Sequence, residues 1–341
     1  MTRLHSTLRR AATLAIAVLC SVAVCAQQDP LVWSPSRSAH PWLQLPLTYA
    51  QPQGGTLVSF KSPREGAPDL EIKAVVFKPP GDAKAAVVIV NAADGWSDMR
   101  EGHYARSINS AGYAVLVIDT YGARRVASAS TDNTAISLYE QMRDTFAAKR
   151  YLVSLGYPAD RMALMGSGRG GTVALLVADQ TFLPSEKADR FALVMAVGAT
   201  CFLHPRQPKP SAQVFIAIGG KDEVTGVKPC QTLASEYAAA GGSNQVKVYS
   251  GATTGFDGDP KDRIMFRNAN IESLANCNVV VEPDGRFNYD GKTFAETDPA
   301  PLFTEMRKSC IKYGASIYTN VTQKANVTLD LIDFLDANFR H

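Results

Sequence analysis

Five short runs, apolar at every position, constrain this 341-residue chain more than any other feature: Ala85–Val90, Ala114–Ile118, Met162–Met165, Phe191–Val197 and Val214–Ile218. A strand with one wet face alternates apolar and polar residues, whereas a uniformly apolar run belongs to a strand covered on both faces. Helix-length segments separate the runs, at Ser97–Ser110, Thr134–Leu155, Gly170–Ala178 and Pro229–Ala240. A shorter strand over Gln245–Tyr249 follows, and Val327, Leu331, Phe334 and Leu335 fall on one face of a closing helix. Strands alternating with helices require crossover connections, so the expectation is an α/β fold: a mostly parallel sheet with helices on both faces. Upstream, Thr56–Lys61 and Leu70–Lys78 read as an antiparallel strand pair at the N-terminal side. Val279–Phe294, with Pro283-Asp284-Gly285 at its centre, reads as a hairpin decorating the domain. No internal repeat and no boundary divides residues 55–341, which read as one domain.

The chain begins differently. Arg3, Arg9 and Arg10 precede an apolar run from Ala11 to Val24, and Val24-Cys25-Ala26 offers small residues for cleavage. This is the layout of a secretory signal over residues 1–26, too short and too polar in its sequel to span a bilayer. Cys25 leaves a lipid-anchored start open as the alternative. Residues 27–54, with Pro30, Pro35, Pro41, Pro46 and Pro52, read as an extended lead-in. No later stretch is apolar enough to cross a membrane, and the expected location is periplasmic or extracellular.

Removing residues 1–26 takes three arginines and no acid from the 35 basic and 32 acidic side chains, leaving an even balance. An even balance without basic runs excludes nucleic acid as the expected partner. The 46% hydrophobic content suits a sizeable buried core. Of six cysteines, Cys20 and Cys25 lie in the leader, leaving Cys201, Cys230, Cys277 and Cys310. An even set in an oxidising compartment reads as disulfides. Three pairings are possible, and sequential pairing, Cys201–Cys230 and Cys277–Cys310, is the expectation, with free buried thiols as the alternative. No cysteine or histidine pair has metal-ligand spacing, and neither metal nor cofactor is expected.

In a sheet of this kind ligands bind beyond the carboxyl ends of the strands. The loops after Val90, Ile118, Met165 and Ile218, and the turn after Tyr249, are therefore where chemistry belongs. Residues 161–175, RMALMGSGRGGTVAL, have the strand–turn–helix layout of a nucleophile elbow, Gly-x-nucleophile-x-Gly. The frame is Gly166-Ser167-Gly168-Arg169-Gly170, and the nucleophile position is a glycine.

Four segments carry a family resemblance in the right order and spacing: SAGYAVLVIDTYGAR (Ser110–Arg124), ALMGSGRGG, IGGKDEVTGVKPCQTLA (Ile218–Ala234) and YSGATTGFD (Tyr249–Asp257). Over nearly all of residues 55–338 the chain resembles the dienelactone hydrolase family of α/β hydrolases, especially its exported members. The resemblance implies an α/β-hydrolase fold and, ordinarily, hydrolysis of a small ester or lactone. Carried over residue by residue, it places the triad acid at Asp222, the nucleophile at Gly168 and the histidine at Thr254. The oxyanion loop falls on Asn91-Ala92-Ala93-Asp94-Gly95, so its amides would come from Ala92, Ala93 and Arg169. Asp94 would add negative charge where an oxyanion forms. The triad is degenerate on this reading, and a non-cleaving cleft for a small ligand is the expected function.

The alternatives stay open. Ser167, one position before the nucleophile slot, would serve an active serine-type hydrolase; a third reading is a purely structural partner in a complex. His204 reads as a solvated loop residue without a partner, and His103 as a surface residue. His40 and His341 carry no catalytic expectation. Arg124 and Arg125 read as exposed loop charges, with binding of an anionic ligand as the alternative. Asn320 and Asn326 begin Asn-x-Thr sequons, meaningful only in a glycosylating pathway.

Overall fold

The computed structural model describes residues 54–64, 66–182, 189–259 and 264–339. The expected leader, nearly all of the lead-in, and His40 and His341 lie outside the described residues. The chain opens with β1 (Thr56–Arg64) and β2 (Ala67–Phe77), paired antiparallel from Thr56↔Val76 to Arg64↔Ala67. There follow β3 (Ala86–Val90), β4 (Ala114–Asp119), β5 (Met162–Ser167), β6 (Leu193–Val197), the short β7 (Leu203–Pro205), β8 (Gln213–Lys221) and β9 (Asn244–Thr253). All but β7 join one sheet in the order β1-β2-β4-β3-β5-β6-β8-β9. From β4 to β9 every neighbouring pair is parallel, as the apolar runs required.

Helices α1 (His103–Ser110), α2 (Leu138–Ser154), α3 (Arg169–Val177), α4 (Val227–Ala239), α5 (Ala300–Ser309) and α6 (Val321–Phe339) complete the frame. Successive strand side chains point to opposite faces. Val88, Val90, Leu116, Ile118 and Leu164 therefore share one core with Met142, Phe146, Val173, Leu176, Leu233 and Tyr237 of α2, α3 and α4. Val87, Ile89, Val115, Val117 and Met165 share the other with Tyr104 and Ile108 of α1 and Val327, Leu331 and Leu335 of α6. Each such side chain, fully buried, contributes about 1.5–3 kcal/mol, and both faces are filled.

Several boundaries differ from the sequence reading, for local reasons. The helix expected from Thr134 begins at Leu138, because Ser137 caps it: its Oγ accepts from the Tyr139 N–H, and its own N–H donates to Glu140. The helix expected from Ser97 opens as one π-helical turn over Asp98–Gly102 before α1. The final strand runs to Thr253, four residues past the expected Tyr249.

The C-terminal excursion is larger than a hairpin. β10 (Phe266–Ser273) pairs with a strand 39 residues further on, while β11 (Val279–Val281), β12 (Phe287–Tyr289) and β13 (Lys292–Phe294) form an antiparallel meander. That distant strand is β14 (Lys312–Ile317). β7 adds itself parallel to β11, giving the small sheet β13-β12-β11-β7. Two disulfides tie this region down. Cys201–Cys230 links the loop after β6 to α4, and Cys277–Cys310 closes the excursion between β10 and the end of α5.

Candidate functional site

The loops after β3, β5, β8 and β9 meet at the carboxyl edge of the sheet around a cavity of 260 Å³. Gly168 lies on its floor, at φ 53° and ψ −121° between β5 and α3. That backbone conformation is strained for any residue with a β-carbon. The flanking glycines are there for space. A β-carbon on Gly166 would fall 2.2 Å from the Gly170 carbonyl, and one on Gly170 would fall 2.4 Å from the Val90 oxygen. On Gly168 a β-carbon would meet only the Ala92 β-carbon at 3.7 Å. The elbow is thus intact in its backbone and carries no side chain at its apex.

Asp222 follows β8 and is buried. Thr254, in the turn after β9, donates its hydroxyl to Asp222 Oδ1 at 2.7 Å. Asp222 also accepts from the Val224 and Thr225 N–H groups and from the Thr225 hydroxyl. Burial raises its pKa, while those four donors pull the other way. The structure therefore brings Gly168, Asp222 and Thr254 to one cavity. A threonine hydroxyl has neither the basicity nor the second nitrogen needed to pass a proton from a nucleophile to a leaving group.

The loop after β3 is locked by a buried ion pair. Glu101, from the π-helical turn, has no exposure, and it accepts from the Ala92 N–H at 3.1 Å and the Ser97 N–H at 2.8 Å. Arg100 donates to Glu101 at 2.9 Å and to Asp94 at 2.6 Å. Two expectations change here. The Ala92 amide is occupied by a carboxylate, so of the three amides named it is the one withdrawn from any oxyanion. Asp94 does not stand as a bare negative charge, because Arg100 neutralises it.

Ser167 is placed away from the nucleophile position. It is the last residue of β5 and shares the α1/α6 side with Met165 two residues earlier. Its Oγ donates to Asp257 Oδ2 at 2.6 Å, and Tyr104 donates to the same oxygen at 3.1 Å. Lys324 of α6 stands beside this group, donating to the Met99 and Gly258 carbonyls. Burial pushes its pKa down to about 8, against the pull of Asp257.

The Arg169 side chain is buried at the other flank of the elbow, 7% exposed. Nε donates to Gln141 Oε1 at 2.7 Å and Nη1 to Asn133 Oδ1 at 3.1 Å, while Nη2 donates to the Ile136 carbonyl. Asn133 in turn donates to Glu272, which Arg307 holds at 2.6 Å.

His204 is not solvated: it lies buried on β7 and pairs with Glu236 of α4 at 2.7 Å. His103 is half-buried, with Nε2 3.1 Å from the Thr328 hydroxyl, and since that hydroxyl donates to Lys324 O, Nε2 is the donor. Burial, with Lys324 and Arg106 nearby, lowers its pKa to about 4. Arg124 is no loop charge. It holds the fully buried Asp144 at 2.6 Å, because a carboxylate inside α2 needs a cation. Arg125 is exposed, as expected. Asn320 accepts from the Gln323 N–H at the start of α6.

Glu101, Asp257 and the Arg169 guanidinium were missed as site residues. Arg169 directly follows Gly168 in the sequence, and the resemblance implies a role only for its amide. Among the described residues no group of histidine, cysteine, aspartate and glutamate has the geometry to hold a metal ion.

The model of the Dienelactone hydrolase family matches residues 72–279, which take in the elbow, Asp222 and Thr254. No curated protein matches the chain in sequence. Among solved structures, a putative dienelactone hydrolase from Klebsiella pneumoniae is 16% identical, over 60% of this chain and 88% of that one, with TM-score 0.46. Propionate-bound esterase 2 of Thermogutta terrifontis is 14% identical, over 61% and 87%, with TM-score 0.48. An alpha-beta serine hydrolase homologue from Coxiella burnetii is 14% identical, over 62% and 93%, with TM-score 0.44. By the match across 72–279, and with an α/β-hydrolase fold, the chain belongs to the dienelactone hydrolase family.

Proposed function

We propose that this chain is a non-hydrolytic member of its family, exported to the cell envelope, whose cavity binds a small molecule without cleaving it. One observation carries the reading. The apex of a sterically intact elbow is Gly168, and the partner of Asp222 is a threonine hydroxyl at 2.7 Å. Loss of a single triad member costs roughly 10⁴–10⁶ in rate, and here two are replaced. A carboxylate alone neither attacks a carbonyl nor relays a proton. The 260 Å³ cavity remains, of a size for a small ligand. Export is supported by the pairing of all four cysteines after the leader. Among the described residues, no helix is long and apolar enough to cross a membrane.

A second reading rests on Ser167. It lines the cavity, and its hydroxyl is hydrogen-bonded to a buried carboxylate, Asp257. A serine-type hydrolase built on that pair would be active without histidine. The two readings separate on one experiment with the purified chain. Hydrolysis of short-chain nitrophenyl esters is measured beside Ser167→Ala and Asp222→Asn, and intact mass is recorded after exposure to a fluorophosphonate. No turnover above either variant and no adduct is the expected result. Turnover abolished by Ser167→Ala, with an adduct on wild type, would overturn the binding reading.

A further inference from the structure

A charged side chain taken out of water is usually matched by an opposite charge, because hydrogen bonds from neutral groups compensate only part of the lost hydration. Two cations line this cavity, Arg100 and Arg169, and only the first follows that rule. Arg100 holds Asp94 and Glu101. Arg169, 93% buried by its 7% exposure, has no carboxylate within salt-bridge distance among the described residues. Its three hydrogen bonds go to neutral oxygens: two amide side chains and a backbone carbonyl. Burial holds its guanidinium below the usual range, with only the more distant Tyr121 and Asp132 opposing.

The surroundings of Arg169 point the same way. It lines the cavity, and its own N–H is the first of α3, a helix end with unpaired amides and partial positive charge. Four acids that line the cavity are engaged elsewhere: Asp94 and Glu272 have their own arginines, and Asp222 and Asp257 take hydroxyl donors. Leu138, Phe202 and Phe303 line a small hollow together with Arg169, and Leu274 adds a further apolar side chain to the cavity.

We infer that the cavity takes a small amphiphilic monocarboxylate, its anionic head on the Arg169 guanidinium and its apolar body against Phe202, Leu274 and Phe303. A guanidinium retains further N–H donors after three bonds, in the planar fork that suits a carboxylate. The inference rests on the binding reading above and names its ligand class.

The test compares phenylacetate and hexanoate with their neutral amides, phenylacetamide and hexanamide, by calorimetric titration of wild type, Gln141→Glu and Arg169→Gln. Gln141→Glu supplies an internal carboxylate to Arg169 Nε with nearly unchanged shape, so it keeps the arginine and removes its unmet charge. Wild type is expected to favour each acid over its amide by roughly tenfold or more, as for a charge-assisted pair. That preference is expected to vanish in Gln141→Glu, which should melt no lower than wild type, and in Arg169→Gln if that variant folds. Equal binding of acid and amide would overturn the anion assignment while leaving a binding protein. An acid preference that persists in a folded Gln141→Glu would place the anion elsewhere and overturn it as well. No binding of either class overturns both readings, and ester turnover by wild type overturns the non-hydrolytic reading alone.

Discussion

Thr254 donates its hydroxyl to the buried Asp222 Oδ1 at 2.7 Å, and on the proposed reading it stands in place of a catalytic histidine. Asp222 also closes its own loop, accepting from the Val224 and Thr225 N–H groups. Thr254→Val removes one donor from a buried carboxylate and is expected to cost about 1–3 kcal/mol. Thr254→Ser keeps the donor and is expected to cost less. Chemical denaturation of the two variants checks the ordering; equal loss would mean the hydroxyl contributes nothing to Asp222.

The elbow glycines have unequal reasons for being glycine, and substitution should separate them. Gly166→Ala drives a β-carbon to 2.2 Å from the Gly170 carbonyl, where backbone must move. A loss above about 3 kcal/mol, or failure to fold, is expected. Gly168→Ser has space and meets only the cost of a strained φ, about 1–3 kcal/mol. The double variant Gly168→Ser, Thr254→His then has nucleophile, imidazole and acid in register. We expect it to be labelled at position 168 by a fluorophosphonate, whereas wild type is not. Failure of a folded double variant to label would show that the loop after β3, with its Ala92 amide held by Glu101, also blocks the site.

Much of the sheet is legible in the amino-acid sequence. The sheet was readable because a strand covered on both faces has no polar position, and Val87 and Val88 serve opposite cores. The glycine spacing of the elbow is a local pattern and was readable, whereas the contact that forbids a β-carbon on Gly170 is with the Val90 oxygen, remote in sequence. What could not be read depends on partners distant in sequence. His204 looked solvated, yet it finds Glu236 across 32 residues. The resemblance gives a role only to the Arg169 amide, and its guanidinium finds its partners in the segment around Asn133 and Ile136, more than 30 residues away. β10 buries only Glu272 and Ser273, both polar, and its partner β14 is beyond an entire meander.

The acid limb of stability should report His103. Folded, it takes a proton only near pH 4, because it is buried and faces Lys324 and Arg106; unfolded, it does so near 6.5. Between these values the unfolded state binds more protons, so stability falls as pH drops from 6.5 to about 4 and is unaffected by this group above 6.5. His103→Gln keeps a side-chain donor for Thr328 and is expected to flatten that slope relative to wild type. Melting temperatures from pH 4 to pH 7 for both proteins measure it. Parallel curves would show that His103 titrates normally in the folded chain.

The two disulfides should differ in consequence though not in strength. They close spans of 29 and 33 residues, and chain entropy gives each about 3–4 kcal/mol of stabilisation. Cys201–Cys230 is buried between the loop after β6 and α4, inside a region the sheet already orders. Cys277–Cys310 ties the end of the β10 segment to the end of α5, and these two elements bring Glu272, Leu274 and Phe303 to the cavity wall. Paired replacement of Cys201 and Cys230 by alanine is expected to lower stability while leaving the affinity for any cavity ligand near that of wild type. Paired replacement of Cys277 and Cys310 is expected to lower stability comparably and to weaken ligand binding as well, since the wall loses its tether. Denaturation curves and titration with the same carboxylate probes separate the two effects. Equal affinity in both double variants would mean that packing of Phe303 and Leu274 alone, without the covalent tie, holds the wall in place.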